Sequence, residues 1–557
     1  MQPVISAAQM RQLDRLTVEK YQTPSLLLME AAADAALQAI ARRLDGCLVG
    51  KRARVLCGPG NNGGDGAALA RALSRLSVQT DVILFGRVEE TKGDANTNFT
   101  LVRNLASFQA GSSAVPSPLS FVECESIHSW EEIARPRGSY DLIVDALFGT
   151  GLTRPLAGIY LQVIEHLALI RKARDRTGAS QPLIVSLDIP SGLDADSAEL
   201  IGEAVEADLT VTFTAPKTAN VLPPASHRCG ELVVANIGSP AALVHAAGTE
   251  LFLTDESDAR EWLVETRYSP ESFKNTHGHA LIVAGSRDYA GAAALCGNAA
   301  IKSGAGLVTI ATPSSAQSAV VSRSMPEIIT TALAETDRGA VSDEAVEHLL
   351  QLQKSFTVLA LGPGLSAADE RTRRFVYSIV ERRTTPVVID ADGLNSLAPW
   401  PPALRGTKEA PLILTPHPGE MLRLMGATEK SALSDRAGAV RNFAKANGLI
   451  VVLKGSRSLI AAPDGRVFVN PTGNAGLGTA GAGDTLTGVI TGFLAQSYAT
   501  LKQQADPLTT TIAALYVAGL AGDIAAREIG MRTMVASDVR DHLSAAVRSL
   551  DPRGEMP

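Results

Sequence analysis

The segment that precedes a C-terminal helical pattern carries residue types that suit phosphoryl transfer. Small residues from Thr479 to Gly483 let successive backbone N–H groups face one anion, and the helix beginning near Asp484 adds the positive end of its dipole. A carboxylate would repel that anion, so Asp484 is better explained as the base for a hydroxyl that attacks a phosphate. The alternative is a helix N-cap, because Asp is among the preferred N-cap residues.

A second glycine-rich loop, residues 58–66, follows the apolar run ARVLC at residues 53–57. Its five glycines, two asparagines and one aspartate provide a floor for a pyrophosphate or a cation, although a purely structural turn is the alternative. Three later apolar runs end in the segments 145–151, 188–194 and 215–217, which carry aspartates, a serine and a lysine. The carboxyl ends of the strands form the ligand crevice of an open α/β sheet, so oxygen ligands, an acid and a base are expected to converge.

Apolar runs separated by helical lengths predict the elements that position these loops, because such runs are typical of buried strands in a parallel sheet. In the N-terminal half, after two predicted helices, they fall at residues 53–57, 81–85, 141–148, 182–189, 209–213 and 231–237. In the C-terminal half they fall at residues 279–285, 306–312, 356–362, 386–391, 411–416, 449–455, 458–462 and 466–470. The last two runs are joined by Pro463, Asp464 and Gly465, which predicts an antiparallel hairpin and a mixed sheet edge.

The regular pattern lapses between Ser239 and Lys274, where prolines, a glycine and several charges occur and no strand is obvious. We place a domain boundary there. The fold class is therefore predicted as α/β with two domains, residues 1–245 forming a doubly wound, Rossmann-like sheet and residues 246–557 forming a second α/β domain.

Composition narrows the class of partner. The chain of 557 residues has 51 Lys and Arg against 58 Asp and Glu, and its net charge of −7 indicates small-molecule chemistry and no nucleic-acid partner. Five scattered cysteines without a C-x-x-C pair indicate neither a disulfide framework nor a zinc site, and they fit a reducing cytoplasm. No segment reaches the roughly 18 uninterrupted apolar residues that cross a bilayer, and charges interrupt the N-terminus, so neither a membrane partner nor a signal peptide is expected.

The motifs GPGNNGGDG, VDALFGTG, SLDIPSGLD and TFTAPK, in this order, resemble the NAD(P)H-hydrate epimerase domain over roughly residues 5–240. The resemblance implies a potassium ion held by Asn62, Asp145 and Ser191, whose amide, carboxylate and hydroxyl oxygens are hard ligands. It also implies Asp188 as the acid and base of the reaction. The residues expected to contact the hydrated nicotinamide nucleotide are Asn61, Asn62, Gly63, Gly64, Asp65, Gly149, Thr150, Gly151, Leu152, Thr153, Arg154, Pro155, Asp188 and Lys217.

The C-terminal half resembles the ADP- or ATP-dependent NAD(P)H-hydrate dehydratases, which have a ribokinase-like fold, over about residues 274–543. The motifs LGPGL, DADGLN, LTPHPGE, VLKGSRS, NPTGN and GTAGAGDTLTG carry this resemblance. Ala480 and Ala482 stand where relatives often have Gly, Ser or Thr, a change that keeps the backbone donors. The residues expected to face the hydrated nucleotide are Ala292, Gly364, His417 and Asp484, and those expected to hold the phosphates of ADP or ATP are Lys454, Gly455, Ser456, Arg457, Ser458 and Gly483.

Several of these residues have structural alternatives. His417 could be a surface or capping group, and Lys454 could be a solvated strand end instead of a phosphate contact. His277 and His279 supply only two ligands, which favours structural roles over a metal site. The acids of residues 390–392 could hold the Mg²⁺ of the dehydratase domain or simply cap a turn.

The two resemblances imply reactions that fit together chemically. Hydrated NADH carries a hydroxyl on a ring carbon next to nitrogen, and hydroxide is a poor leaving group because water has a pKa of about 16, against about 6 for the second ionisation of a phosphate ester. Phosphorylation with Asp484 as base makes departure easy. An attached epimerase would supply the epimer that the dehydratase accepts.

We therefore expect a cytoplasmic, bifunctional repair enzyme that interconverts the R and S forms of hydrated NADH and NADPH (NADHX and NADPHX). It would dehydrate the S form with ADP, giving AMP and phosphate, or with ATP, and would assemble as a homo-oligomer, a tetramer or larger. Two alternatives stay open. The anion loop is shared by small-molecule kinases, and the N-terminal half could be a non-catalytic binding module.

Overall fold

The computed structural model describes residues 1–110, 118–135, 139–179 and 181–553, without the side chains of residues 108–110. The chain divides into two compact units, residues 2–249 and residues 250–557, and Met1 belongs with the second. The division thus falls between Thr249 and Glu250, where the sequence pattern places a boundary between residues 245 and 246.

The N-terminal unit is an open parallel sheet with helices on both faces. Its helices are α1 (Ala7–Tyr21), α2 (Ser25–Arg43), α3 (Asn61–Arg75), α4 (Gly93–Ala110), α5 (Ile127–Ala134), α6 (Ile159–Thr177), α7 (Thr218–Val221) and α8 (Ala241–His245). A two-residue strand, β1 (Gln2–Pro3), precedes α1 and is not part of this sheet. The strands of the sheet are β2 (Arg52–Cys57), β3 (Gln79–Leu84), β4 (Leu119–Glu123), β5 (Leu142–Ala146), β6 (Leu183–Leu187), β7 (Leu209–Phe213) and β8 (Glu231–Ala235).

The strand order β4-β3-β2-β5-β6-β7-β8, with every pair parallel, confirms the predicted doubly wound sheet. Alternate residues of β2 enter different cores: Val55 and Cys57 pack with α2, α3 and α4, whereas Leu56 packs with residues of α5 and α6. The strand order reverses between β2 and β5, and ligands of such sheets bind at the carboxyl ends of the strands beside this reversal. The loop of residues 58–66 and Asp145 lie at that point.

The C-terminal unit is also α/β. Its helices are α9 (Glu256–Glu265), α10 (Ala290–Lys302), α11 (Gln317–Arg323), α12 (Val346–Gln353), α13 (Glu370–Glu381), α14 (Asp392–Ser396), α15 (Pro418–Met425), α16 (Arg436–Asn447), α17 (Ala482–Thr500), α18 (Pro507–Ile529), α19 (Ala536–Asp541) and α20 (Leu543–Leu550). Its strands are β9 (Leu251–Leu253), β10 (His279–Val283), β11 (Leu307–Pro313), β12 (Ile329–Leu333), β13 (Val358–Leu361), β14 (Val387–Ile389), β15 (Leu412–Leu414), β16 (Ile450–Leu453), β17 (Leu459–Ala461) and β18 (Val467–Val469).

Within this unit the strands lie in the order β9-β18-β17-β16-β15-β14-β13-β10-β11-β12. The pair β17 and β18 is antiparallel, which confirms the predicted hairpin, and β16 also pairs antiparallel with β17. The other pairs are parallel. The mixed edge predicted from the sequence is therefore present.

Some strands carry no evident sequence signal. β4 and β12 lie at sheet edges and are only partly buried, so they lack the continuous apolar runs of central strands. β9 has three residues and lies in the region between Ser239 and Lys274 where no strand is obvious in the sequence. Among the described residues, α18 has the length and apolar composition to cross a membrane, yet 72% of its apolar window is buried, as in a core helix.

Close packing of α10 against α17 fixes the start of α17, where Asp484 lies. A Cβ added to Gly488 would lie 2.2 Å from the carbonyl oxygen of Cys296, and one added to Gly492 would lie 2.6 Å from that of Ala300. The two helix backbones are therefore in direct contact, and no side chain fits between them at these positions.

We predict that Gly488→Ala destabilises the C-terminal unit by about 1–3 kcal/mol, because the added methyl overlaps backbone that cannot move independently. Gly291→Ala is the matched control, since Gly291 is an exposed residue of α10 and a Cβ there has nothing within 4 Å. It should be neutral or stabilising by up to about 1 kcal/mol. Urea unfolding of the full chain checks both, and equal midpoints for the two variants would contradict the packing argument.

Candidate active sites

A cavity of about 790 Å³ opens at the carboxyl end of the N-terminal sheet. It is lined by residues of α1 and α2, by the start of α3, by the segment after β5 and by residues that follow β6 and β7. Of the residues predicted to bind the hydrated nucleotide, those that line it are Asn61, Asn62, Asp65, Gly149, Thr150, Gly151, Leu152, Asp188 and Lys217.

The other predicted contacts lie elsewhere. Gly63 and Gly64 are buried, and their missing side chains allow close packing, because a Cβ at Gly63 would overlap the carbonyl oxygen of Gly58 and one at Gly64 would lie 2.9 Å from Met29. Thr153, Arg154 and Pro155 are exposed and are not among the lining residues. The predicted segment of residues 149–155 therefore reaches the cavity only through its first four residues.

Asp188 and Lys217 form the central ion pair of this cavity. Lys217 is 1% exposed, and its Nζ lies 2.5 Å from Asp188 Oδ1 while donating to Thr212 Oγ1 and the carbonyl of Phe213 at 3.0 Å each. Asp188 Oδ2 accepts no hydrogen bond from the described residues, and a Cβ at Gly149 would lie 3.3 Å from it. One carboxylate oxygen is therefore anchored, and the other is available to a ligand.

Two of the predicted potassium ligands, Asp145 and Ser191, are hydrogen-bonded to each other, and the third, Asn62, lies beside Gly149 in the segment that follows β5. Asp145 is fully buried, and its carboxylate accepts hydrogen bonds from the hydroxyls of Ser186 (2.7 Å) and Ser191 (2.6 Å) and from the N–H of Ser191 (2.9 Å). Burial raises the pKa of Asp145, and these hydrogen bonds oppose the rise. Ser191 Oγ accepts from Phe148 N, and a Cβ at Gly149 would lie 3.5 Å from the side chain of Asn62.

Asn62 is the residue whose surroundings suit a bound cation. Its side chain is 9% exposed, and neither Oδ1 nor Nδ2 has a hydrogen-bond partner in the described part of the chain. A buried amide without partners is costly unless a ligand satisfies it. An amide oxygen is a hard ligand, so the unpartnered side chain of Asn62 fits a monovalent cation chemically.

Asp14 is a cavity residue that the sequence pattern did not identify. It lies on the buried face of α1 with Met10 and Thr17, where an amphipathic helix normally carries apolar residues. Burial is the main cause that raises the pKa of Asp14 to about 6, with Asp188 adding to the rise and Lys217 opposing it. The sequence signal that could have identified Asp14 is an acidic residue on the otherwise apolar face of the predicted helix.

Asp65, in the first turns of α3, belongs to the same group of acids. Burial raises the pKa of Asp65 well above its ordinary value, and the charges of Asp188 and Asp14 add to this effect. Asp14, Asp65 and Asp188 therefore line the same cavity as Lys217.

In the C-terminal unit a buried ion pair lies at the carboxyl ends of β14 and β16. Asp390 is 1% exposed, and its two oxygens accept hydrogen bonds from Lys454 Nζ (2.7 Å) and Thr487 Oγ1 (2.7 Å). Burial acts to raise the pKa of Asp390, but the charge of Lys454 and the hydrogen bonds outweigh it and lower the pKa. Lys454 Nζ also lies 3.9 Å from Glu420 Oε2, so the interpretation of Lys454 as a solvated strand end is wrong.

Asp484 lies in the first turn of α17, close to this ion pair. The helix begins at Ala482 after Gly481, whose φ of 82° turns the loop, and a Cβ at Gly483 would lie 3.3 Å from Lys454 Nζ. Burial raises the pKa of Asp484 to about 6, with Asp390 and Asp392 adding to the rise and Lys454 opposing it. The alternative role as N-cap does not hold, because Gly481 occupies that position.

The other predicted substrate residues of this unit are Gly364 and Ala292, which lie against each other, and His417, which caps a helix. Gly364, at a φ of 66°, lies against α10, where a Cβ would meet Ala292 Cβ at 3.0 Å. His417 caps α15: its Nδ1 accepts from the N–H groups of Gly419 (3.0 Å) and Glu420 (3.3 Å). The structural alternative for His417 is therefore observed, while its ring is 51% exposed and open to a ligand.

The predicted phosphate segment, residues 454–458, is the turn between β16 and β17. Ser458 Oγ closes it by accepting from Gly455 N (3.3 Å) and donating to Gly455 O (3.0 Å), while Arg436 Nη1 donates to Ser456 O (3.4 Å). Arg457 has a φ of 52°, a conformation that a non-glycine residue adopts only where the turn demands it.

The remaining acids and histidines have structural partners. Asp392 accepts from Ser366 N (2.9 Å), and Asp390 is committed to Lys454 and Thr487, which favours the turn-capping reading over magnesium ligation. His279 contacts Thr309 Oγ1 at 2.9 Å, and His277 stacks on Tyr268 with ring centroids 3.6 Å apart. Within the described ranges, no group of three or more His, Cys, Asp or Glu could hold a metal ion.

Comparisons with known proteins cover both units. Residues 25–219 match the family model described as YjeF-related protein N-terminus, and residues 280–545 match that of NAD(P)H-hydrate dehydratase. A solved structure of ADP/ATP-dependent NAD(P)H-hydrate dehydratase from Bacillus subtilis, co-crystallised with ATP/Mg²⁺, is 30% identical and covers 55% of this chain and 100% of its own, with a TM-score of 0.46.

Relatives of full length carry both parts. The bifunctional NAD(P)H-hydrate repair enzyme Nnr of Moorella thermoacetica is 39% identical over 552 residues, which are 99% of this chain and 98% of that protein. The protein of the same name from Escherichia coli is 31% identical over 494 residues, 88% of this chain and 84% of that protein. Because these relatives align with both α/β units at 31% identity or more, the chain belongs to the family of bifunctional NAD(P)H-hydrate repair enzymes.

Proposed function

We propose that the N-terminal unit interconverts the R and S forms of hydrated NADH and NADPH and that the C-terminal unit dehydrates the S form. The second reaction would consume ADP, giving AMP and phosphate, or ATP. The observation that carries the proposal is the position of Asp484, a partly buried carboxyl at the start of a helix, beside a glycine loop and the Asp390–Lys454 ion pair. This is the arrangement that a base for phosphoryl transfer requires.

In the dehydration step, Asp484 would take the proton of the substrate hydroxyl as that oxygen attacks the terminal phosphorus of the nucleotide. The backbone N–H groups of Ala480, Gly481 and Gly483 and the ammonium of Lys454, which lies beside Gly483, would face the transferring phosphoryl group. The N–H of Ala482 is instead donated to the carbonyl of Thr479 at 3.3 Å. The nitrogen lone pair of the ring can then expel phosphate, a better leaving group than hydroxide, and form an iminium cation. Loss of a proton from the neighbouring ring carbon to water or to the departing phosphate restores the dihydropyridine. Asp390 would hold Lys454 in place through the 2.7 Å contact.

In the epimerisation step, Oδ2 of Asp188 would exchange a proton with the hydroxyl group on the hydrated ring carbon. Lys217 would hold the carboxylate in its orientation through Oδ1. Asn62, Asp145 and Ser191 would hold the potassium ion, supported by the unpartnered amide of Asn62. When bound, this ion would supply positive charge beside the carboxylate of Asp145 at the loop that faces the nucleotide. Asn61, Asp65 and residues 149–152 would contact the nucleotide from the cavity wall.

Finer parts of the proposal rest on the family resemblance. Magnesium would accompany the nucleotide, with no ligand assigned to Asp390 or Asp392. The protein would be a cytoplasmic homo-oligomer, a tetramer or larger, and its buried free thiols, Cys57, Cys124, Cys229 and Cys296, fit a reducing compartment. Residues 1–245 would form the epimerase domain and residues 246–557 the dehydratase domain.

Asp484→Asn should lower nucleotide-dependent dehydration by about 100-fold or more and change nucleotide affinity only a few-fold, because the base is lost while the anion donors stay. The base must be ionised, so wild-type turnover should fall as the pH drops through about 6, the raised pKa of Asp484. The measurement is recovery of NADH from the S epimer with ADP or ATP. Near-normal turnover would refute the mechanism, and a stable phosphorylated product without phosphate release would indicate a kinase.

Asp188→Asn should abolish interconversion of the two epimers without slowing dehydration of the S epimer, since the reactions take place in separate units. Epimers are separated by chromatography in the absence of ADP and ATP. Glu199→Gln, which changes an exposed carboxylate outside the cavity lining, is the matched control. If Asp188→Asn and wild type interconvert the epimers equally fast, the N-terminal unit is a binding module.

Potassium should protect the segments 58–66 and 142–149 from hydrogen exchange relative to a tetramethylammonium buffer of equal ionic strength, because the ion would tie these loops together. Asn62→Ala should remove this difference, and Asn61→Ala, at the exposed neighbouring position, should keep it. Equal exchange of wild-type protein in both buffers would argue against the cation site.

A further inference from the structure

The N-terminal cavity holds more acid groups than the proposed epimerase chemistry has used. The charged residues that line it are Arg11, Asp14, Arg15 and Glu19 of α1, Asp65 of α3, Asp94 of α4, and Asp188 and Lys217 after β6 and β7. Lys217 is committed to Asp188. Asp14 has no hydrogen bond or ion pair among the described residues, and its Oδ1 is buried without a partner.

The reaction itself requires two proton-transfer events. A carbon that bears both a hydroxyl and a ring nitrogen can be inverted by breaking its C–O bond and remaking it on the other face, and this is the route that we propose. An acid protonates the hydroxyl, the nitrogen lone pair expels it as water, and an iminium cation forms. Water then adds to the opposite face and gives a proton to a base. Atoms and charge balance, and the only net change is a proton moved from the acid to the base.

A single carboxylate held by a lysine cannot easily serve both events. Asp188 is paired with Lys217, so it suits the base that accepts the proton. The acid must carry a proton near neutral pH and must reach the cavity from another element. Asp14 enters from α1, whereas Asp188 follows β6, and both line the same cavity.

We propose that Asp14 is the second proton-transfer residue of the epimerase site, the acid that protonates the departing hydroxyl while Asp188 receives the proton of the incoming water. This inference rests on the epimerase function proposed above. The raised pKa of Asp14, about 6, means that a substantial fraction of the carboxyl is protonated where ordinary aspartates are fully ionised. Between turnovers, exchange with solvent water returns a proton to Asp14 and removes one from Asp188.

The same burial has a cost that can be measured. A carboxyl whose folded pKa is raised above its unfolded value destabilises the fold as the pH rises above the unfolded value, because the folded state must then give up a proton it holds more tightly. Asp14→Asn removes that charge at nearly constant shape. The variant should therefore unfold at a higher temperature than wild type at pH 8 and at a similar temperature at pH 4, which is the signature of a residue kept for function.

The test is the rate of epimer interconversion between pH 5 and pH 8.5 without ADP or ATP, after subtraction of the uncatalysed rate. Wild type should show kcat/KM falling as the pH rises through about 6, because the acid form of Asp14 is lost. Asp14→Asn should be slower by about 100-fold or more at pH 6 and should lack that decline. Asp14→Glu should restore part of the rate and the decline. Asp34→Asn, which removes an exposed charge of α2 outside the cavity lining, should behave as wild type.

The outcomes separate this inference from the epimerase proposal. A wild-type protein that does not interconvert the epimers overturns the function of the unit. Wild-type activity with an Asp14→Asn rate within about three-fold of it, or with the same pH decline, overturns only the role of Asp14. Dehydration of the S epimer by the same preparations reports intact protein, and Asp14→Ser is the second variant should Asn disturb α1.

Discussion

Both units depend on the same interaction, the ion pair between an aspartate at the carboxyl end of one strand and a lysine that follows another strand of the same sheet. Lys217 meets Asp188 in the N-terminal unit, and Lys454 meets Asp390 in the C-terminal unit. Each lysine follows a different strand from its aspartate, so the ion pair also ties two strand ends together. Because each ion pair neutralises its own aspartate and lysine, the adjacent glycine loop is available to bind a ligand.

Three acids of the two sites that lack such a cation have raised pKa values. Asp14, Asp65 and Asp484 are shielded from water, and no lysine or arginine contacts them within the described residues, so burial dominates their titration. Asp390, fully compensated, moves in the other direction. Each unit therefore separates a carboxylate that holds charge from a carboxyl able to exchange a proton near neutral pH.

The sequence was most informative where burial is continuous along the chain. Central strands, the hairpin of β17 and β18 and the positions of the glycine loops followed from local patterns, whereas edge strands such as β12 did not, because partial burial leaves no apolar run. Pairings across the fold were beyond its reach. Lys454 and Asp390 are 64 residues apart, and no sequence pattern around either residue predicts their contact. Asp14 was not predicted as a site residue, because the spacing of apolar residues predicts a helix but assigns no role to an acid on its buried face.

The contact between α10 and α17 limits which residues near the anion loop tolerate substitution. The anion loop would contact a phosphate through backbone N–H groups, so the methyl side chains of Ala480 and Ala482 make no demand on its chemistry. Behind it, Gly488 and Gly492 touch opposing backbone carbonyls and admit no larger residue. A binding loop is usually expected to tolerate fewer substitutions than the helices behind it. Here the side chains of the anion loop can be replaced, whereas the glycines of the helix interface cannot.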